Sequence, residues 1–249
     1  MLQARKLVKH FTDKKRGVVR AVDGVDLDAR PGEIFGLLGL NGAGKTTTLR
    51  LLATILHADS GSVFIDGVDA QAHPEVVRSK IGFLTGATGL YLRLTPREIL
   101  AYFGRLAGMD APTITRRSDE LIARLDMTSF ADSRVDKLSS GQKQRTSIAR
   151  TLIHDPPLLI LDEPTIGLDV VTSRAIIEFV LEARTRGKCV LLSTHIMHEA
   201  AKLCDRIAIL HAGKIRRIGT LADFRTHYGH EDLDDIFVAA IEDNGGPAR

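Results

Sequence analysis

The 249-residue sequence predicts an α/β fold: a core of buried strands, an antiparallel β region at the N-terminus and a helical subdomain inserted midway. Three observations lead there. Short apolar runs recur at Ile34-Phe35-Gly36-Leu37-Leu38, Leu158-Leu159-Ile160-Leu161 and Val190-Leu191-Leu192, the pattern of parallel strands covered on both faces. Residues 1 to about 33 instead hold strand-like pieces between charged or glycine turns. From Pro96 to Arg150 the spacing reads as mostly helical, and α/β alternation returns at Leu158.

In chain order, Leu7-Val8, Val18-Val19 and Val25-Asp26-Leu27 make up the antiparallel region, closed by the turn signal Arg30-Pro31-Gly32. After the Ile34 strand, Thr48 to Leu56 reads as a mostly buried helix. Ser62 to Ile65 is a strand running into an Asp66-Gly67 turn, and Ile81-Gly82-Phe83-Leu84 is another strand. Thr85 to Thr95 is rich in threonine and glycine. Pro96-Arg97-Glu98 suits the first turn of a helix with Thr95 as N-cap, and Leu121, Ile122 and Leu125 share one helical face. Residues 90–150 are thus read as the helical subdomain, inserted into a catalytic core of residues 1–89 and 151–220 within a single domain. Ser173 to Arg186 is a further helix, Ile207 to Ile215 a hairpin, and 221–249 a tail frayed at Asn244-Gly245-Gly246-Pro247.

The Ile34 strand opens into Gly39-Leu40-Asn41-Gly42-Ala43-Gly44-Lys45-Thr46-Thr47: glycine, four residues, glycine, lysine, then a hydroxyl residue. Glycines let the backbone curl and let a phosphate approach closely, while exposed N–H groups and a helix N-terminus attract anionic oxygen. Lys45 adds a mobile charge for the β- and γ-phosphates, and the Thr46 hydroxyl is suited to ligate Mg²⁺. Strand, glycine loop and helix are the context such a site requires.

The other two strands also end at chemistry. Asp162 and Glu163 follow the Leu158 run. A carboxylate there can hold Mg²⁺ while its neighbour polarises an attacking water, so Asp162 is assigned to the metal and Glu163 to the general base. The Val190 strand leads to His195, which reads either as structural or as a group that contacts a γ-phosphate and holds the water or Glu163. Open parallel sheets bind ligands outside the carboxyl ends of their strands, and this chain sends a lysine, a carboxylate pair and a histidine to that edge. The cluster His195-Ile196-Met197-His198-Glu199 fails the zinc-protease spacing, because no glutamate follows the first histidine directly. Leu138-Ser139-Ser140-Gly141-Gln142 is a small-residue turn opening a helix, a second anion-binding N-terminus that suggests a nucleotide held between two copies. Phe11 reads equally as a half-buried strand residue or as an aromatic that stacks on a base.

Bulk composition limits the alternatives. Lys plus Arg is 34 and Asp plus Glu 31, so a net charge of +3 leaves no overall electrostatic footprint for nucleic acid and only a local patch stays open. Cys189 and Cys204 have neither disulfide density nor metal spacing, which fits a reducing cytoplasm. Met1 to Arg5 lacks a signal-peptide core, and no apolar run approaches the ~20 residues of a membrane span. Any membrane role is therefore expected to come through a partner.

On these motifs the chain resembles the ATP-binding cassette (ABC) ATPases over nearly its whole length. The phosphate loop is Gly39 to Thr46, the signature Leu138 to Gln142, the Walker B strand Leu158 to Glu163, the D-loop Gly167-Leu168-Asp169 and the switch histidine His195. The resemblance implies a P-loop NTPase (RecA-like) core, ATP and Mg²⁺ as cofactors, and Phe11 stacked on adenine. It also implies two cassettes meeting head to tail, Ser139, Ser140, Gly141 and Gln142 of one capping the ATP held by Lys45 of the other. A membrane-spanning permease would hold the pair at the inner face of the cell membrane. There are two departures: Thr85-Gly86 stands where the family has a Mg²⁺-ligating glutamine, and Ser140 replaces the commonest glycine of the signature.

Ile81 to Gly86, Thr88 to Tyr91, Ser193 to Met197, Cys204-Asp205-Arg206 and the tail Leu233 to Phe237 are similar to the ATPase subunits of NatA-type sodium exporters, within the drug- and polysaccharide-exporting class. Export is thus expected, with Na⁺ as the implied cargo and a drug, antibiotic or other small molecule as the alternative. A nucleic-acid ABC ATPase would carry a long coiled-coil insertion or cysteine pairs, whereas about ninety residues and no Cys-x-x-Cys separate loop from signature. A cassette serving iron–sulfur cluster assembly is disfavoured only by the exporter-like tail.

Overall fold

The computed structural model describes residues 1–14, 17–85 and 89–243. Two strands, β1 (Leu2–Asp13) and β2 (Gly17–Ala29), form an antiparallel hairpin that continues through β4 (Ser60–Ile65) and β5 (Val68–Asp69) in the order β2-β1-β4-β5. The three short N-terminal pieces read from the sequence are parts of these two long strands. Register shifts between Ala4 and Leu7, Leu7 and Val8, and Lys9 and His10, with Lys6 at φ 46°, break the alternation that would have marked one strand.

The second sheet has the order β10-β9-β3-β8-β7-β6, comprising β3 (Ile34–Leu38), β6 (Ile81–Thr85), β7 (Leu158–Asp162), β8 (Cys189–Thr194), β9 (Arg206–His211) and β10 (Lys214–Gly219). All neighbours are parallel except β9 and β10, which form the expected hairpin through Ala212 and Gly213 at φ 48° and 78°. Every residue of β3, β7 and β8 is buried, as continuous apolar runs require. Their side chains alternate between two cores. Phe35, Leu37, Leu158, Ile160 and Leu191 face the antiparallel sheet and α1 (Lys45–Leu52), while Ile34, Leu159, Leu161, Val190 and Leu192 face the helices. At roughly 1.5–3 kcal/mol per buried large aliphatic side chain, a one-residue slip of these strands would forfeit both cores.

Those helices are α3 (Pro96–Leu106), α4 (Ala111–Arg124), α5 (Ser140–Leu152) and α6 (Val170–Thr185). The Thr95 hydroxyl accepts from the Glu98 N–H at 3.2 Å and the Glu98 carboxylate from the Thr95 N–H at 2.8 Å, a reciprocal cap of α3. Two helices differ from their predicted spans. α1 begins at Lys45 because Gly44 is already its N-cap, and ends where Thr54 turns left-handed at φ 58°. α6 begins at Val170 because the Asp169 carboxylate caps the Thr172 N–H at 2.9 Å. A short α2 (Pro74–Arg78) and the tail helices α8 (Leu221–Tyr228) and α9 (Leu233–Glu242) carried no sequence signal. Phe224, Leu233, Ile236 and Phe237 of the tail close a third core over Leu38, Ile207, Ile209 and α7 (Met197–Leu203).

Candidate functional site

The parallel register sets Thr85 beside Asp162, Asp162 beside Ser193 and Leu38 beside Thr194, so four strands end at one level. The glycine loop leaves β3 at this edge. Gly44 lies at φ 106°, and a Cβ there would come within 2.2 Å of the Ala21 carbonyl oxygen; one on Gly39 would meet the Leu210 carbonyl at 2.5 Å. The loop is therefore clasped between β2 and the end of β9. The Gly213 N–H adds a bond to the Ala43 carbonyl at 2.9 Å. Gly44 brings no side chain to cap α1, so the first-turn N–H groups stay available to an anionic ligand. Leu40, Asn41 and Gly42 are exposed, and Thr46 and Thr47 are half-buried.

Lys45, Glu163 and His195 meet directly. The Lys45 ammonium, only 5% exposed, lies 3.1 Å from Glu163 Oε1 and donates to the carbonyls of Gly39 at 2.7 Å and Leu40 at 3.3 Å. His195 Nδ1 lies 3.1 Å from Glu163 Oε2, and since a carboxylate only accepts, Nδ1 is the donor. Glu163 itself sits in the left-handed region at φ 48°, a conformation that costs about 1–2 kcal/mol for a residue with a Cβ. Its N–H is held by the carbonyl and the hydroxyl of Ser193, each at 3.1 Å.

Asp162 faces differently. It accepts from Ser193 Oγ at 2.6 Å and from Thr85 Oγ1 at 3.4 Å, and it is buried. α1, which carries Thr46, packs against β7, which ends in Asp162. One hydroxyl and one oriented carboxylate fit Mg²⁺, which takes few protein ligands and completes its shell with water and phosphate oxygens. Among the described residues no group of three or more His, Cys, Asp or Glu converges.

The signature stretch stands apart. Ser139 caps α5, its Oγ accepting from the Gln142 N–H at 3.2 Å while Gln142 Oε1 accepts from the Ser139 N–H at 2.9 Å. None of Ser139, Ser140, Gly141 and Gln142 bonds to Lys45, Asp162, Glu163 or His195 among the described residues. They adjoin the D-loop instead: a Cβ on Gly141 would lie 3.3 Å from Thr172 Oγ1 and 3.7 Å from Asp169 Oδ2. The Thr172 backbone N–H, then its hydroxyl, hold the Asp169 carboxyl below the usual carboxylate range. Ile166, Val170 and Val171 form an exposed apolar rim beside it. Phe11, 41% exposed, pairs with Val19 on the hairpin whose Ala21 touches the phosphate loop, and Lys9 Nζ lies 5.7 Å from its ring. Gly86 lies outside the described residues.

Sequence reasoning gave no role to Ser193, to Thr85 beyond its place in the Thr85-Gly86 departure, or to Ala21 and Gly213. The first two carry only a weak signal, a hydroxyl at the end of an apolar strand. The other two act through backbone atoms and carry none.

A glycine loop at the carboxyl edge of a parallel sheet, with a buried lysine and a strained glutamate behind it, defines a P-loop ATPase. A family model described as "ABC transporter" matches residues 22–166. Among relatives, the chain is 42% identical over 94% of its length to the ABC transporter ATP-binding protein NatA of Bacillus subtilis, covering 95% of that protein. It is 33% identical to the linearmycin resistance ATP-binding protein LnrL of Bacillus subtilis, over 98% of this chain and 76% of the other. The ATP-binding subunit of an ABC transporter superposes with a TM-score of 0.88 at 31% identity, over 97% of this chain and 99% of that one. A dimeric ATP-binding cassette in a post-hydrolysis state, bound to ADP and Pi, superposes with a TM-score of 0.80 at 26% identity, over 88% of this chain and 98% of that one. The chain belongs to the ABC transporter family and is one of its ATPases.

Proposed function

We propose that this chain is the Mg²⁺·ATP-hydrolysing subunit of an exporter and works as a dimer on a separate membrane permease. The observation that carries the reading is the Lys45–Glu163–His195 constellation at the strand edge, with both contacts at 3.1 Å. Residues Asn41 to Thr47 cradle the phosphates, and Lys45 neutralises the β- and γ-phosphates. Thr46 and Asp162 would hold Mg²⁺, which when bound offsets phosphate charge. Glu163 accepts a proton from the attacking water, and His195 holds that carboxylate in place. Phe11 stacks on the adenine.

Among the described residues the signature makes no bond to Lys45, Asp162, Glu163 or His195 of its own chain, which supports completion of the site by Ser139, Ser140, Gly141 and Gln142 of a second copy. The apolar rim of Ile166, Val170 and Val171 beside Asp169 suits burial in such a pair. Among the described residues no helix is long and apolar enough to cross a membrane, so the reading places the chain peripherally on the inner face, through the permease. The helical lobe from about Leu90 to Val135 is the dock we assign to it, and a cleft of about 1110 Å³ lined by Arg50, Arg78, Tyr91, Phe103 and Arg150 opens along its edge. Export is supported by relatives named for Nod factor export and linearmycin resistance. Sodium as cargo rests on the resemblance to the NatA branch.

The test is a pull-down from native membranes with tagged Glu163→Gln in Mg²⁺·ATP. A co-purifying polytopic membrane protein is expected, followed by ²²Na⁺ flux in vesicles. Recovery of soluble partners alone, with dimerisation intact, would sink the exporter reading.

A further inference from the structure

The left-handed backbone of Glu163 persists only where its surroundings over-determine it. Upstream, Ser193 holds the Glu163 N–H twice. Downstream, Pro164 has no N–H to give; beside two turn bonds, from the Ile166 N–H to the Glu163 carbonyl and from the Leu168 N–H to the Thr165 carbonyl, each at 3.3 Å, the chain beyond the glutamate is anchored by side chains from two different helices. From α5, Gln144 Nε2 donates to the Pro164 carbonyl at 3.0 Å. From α7, Glu199 Oε2 accepts from Thr165 Oγ1 at 2.9 Å, and Thr165 is buried. Gln144 lies on the helix that Ser139 caps, and Glu199 on the helix that starts just beyond His195. The helix opening at the signature and the helix following the histidine thus grip adjacent residues, directly after Glu163.

We propose that Gln144 and Glu199 are positioning residues: their two hydrogen bonds fix the Pro164–Thr165 joint and so set the Glu163 carboxylate between Lys45 and His195. The proposal rests on the reading of Glu163 as the general base, and the test separates the two.

Steady-state ATP hydrolysis by the full chain is measured for Gln144→Ala, Glu199→Ala, the double variant, Glu199→Gln and Glu163→Gln, with ATP affinity and thermal unfolding on the same preparations. Each alanine variant is expected to lose about tenfold in kcat, the scale of one hydrogen bond. KM for ATP should stay within about twofold, since ground-state binding is untouched. Glu199→Gln keeps an acceptor for Thr165 and should keep its kcat. The double variant should lose less than the product of the singles, because both act on one joint. Should Glu199→Ala not fold, Thr165→Val removes the same bond from the other side. Wild-type kcat in the alanine variants, or a Glu199→Gln as slow as Glu199→Ala, overturns the proposal while an inactive Glu163→Gln leaves the base reading standing. A Glu163→Gln that hydrolyses ATP at the wild-type rate overturns both.

Discussion

Replacing Glu163 by glutamine should move turnover and nucleotide affinity in opposite directions. Each carboxylate oxygen lies 3.1 Å from a nitrogen, Oε1 from Lys45 Nζ and Oε2 from His195 Nδ1. At that separation an effective dielectric of ~20 gives Lys45 and Glu163 a gross attraction of about 5 kcal/mol. Much of it is offset by desolvation of an ammonium only 5% exposed. Glutamine keeps the shape and one acceptor but loses the charge and, with it, the base of the proposed mechanism. Hydrolysis should fall by ~10²–10⁴-fold. Binding should tighten, because Lys45 no longer divides its charge between a carboxylate and an incoming phosphate. If about a quarter of the gross attraction is recovered, roughly 1.4 kcal/mol, affinity rises about tenfold. Lys45 still donates to Gly39 at 2.7 Å and Leu40 at 3.3 Å, so the ammonium is not stranded and the variant should fold. Single-turnover hydrolysis of labelled ATP and calorimetric titration with Mg²⁺·ATP read the two effects. Hydrolysis within about threefold of wild type would remove Glu163 from the base role, far short of the loss general-base removal entails. Weaker ATP binding would refute the competition for Lys45.

Three further outcomes follow from the same geometry. Gly44→Ala would set a Cβ 2.2 Å from the Ala21 carbonyl at φ 106°, against backbone that cannot rotate aside; chemical denaturation should show a loss above ~4 kcal/mol, outside the ordinary range for a single substitution. Burial pushes the thiols of Cys189 and Cys204 up to about 12, so neither should react with a thiol reagent at neutral pH until the chain unfolds. Burial also holds the His154 imidazole below the ordinary histidine range, despite the Ile81 carbonyl bonded to its ring at 3.1 Å. The unfolded chain therefore takes up that proton first. Stability should be full above the histidine range and fall as pH drops through it, and His154→Gln should flatten melting temperature against pH between about 8 and 5.

The legible parts of the molecule were those whose physics is local. Burial of a strand on both faces demands an unbroken apolar run, which marked β3, β7 and β8. The glycine loop was legible because glycine spacing and a following helix are one contiguous requirement, and the Thr95 cap of α3 spans only three residues. β1 was read in pieces because its register shifts against β2 disturb the alternation that reveals a strand. The tail helices were passed over because what holds Phe224, Ile236 and Phe237 is a core shared with Leu38 and Ile209, distant in sequence.

The same division runs through the site. By itself, the order of residues determined that a lysine, two carboxylates and a histidine would arrive at one sheet edge, because each ends a strand or opens a helix in a parallel arrangement. Tertiary structure alone decided which of them touch. Strand register paired Asp162 with Ser193 and Thr85. The clasp of Ala21 and Gly213 set the phosphate loop, and Gln144 and Glu199 came from separate helices to hold the strained turn after Glu163. Those contacts join residues 20 to 77 positions apart at the four hydrogen bonds concerned, and nothing in a local stretch of sequence encodes the closure of such distances.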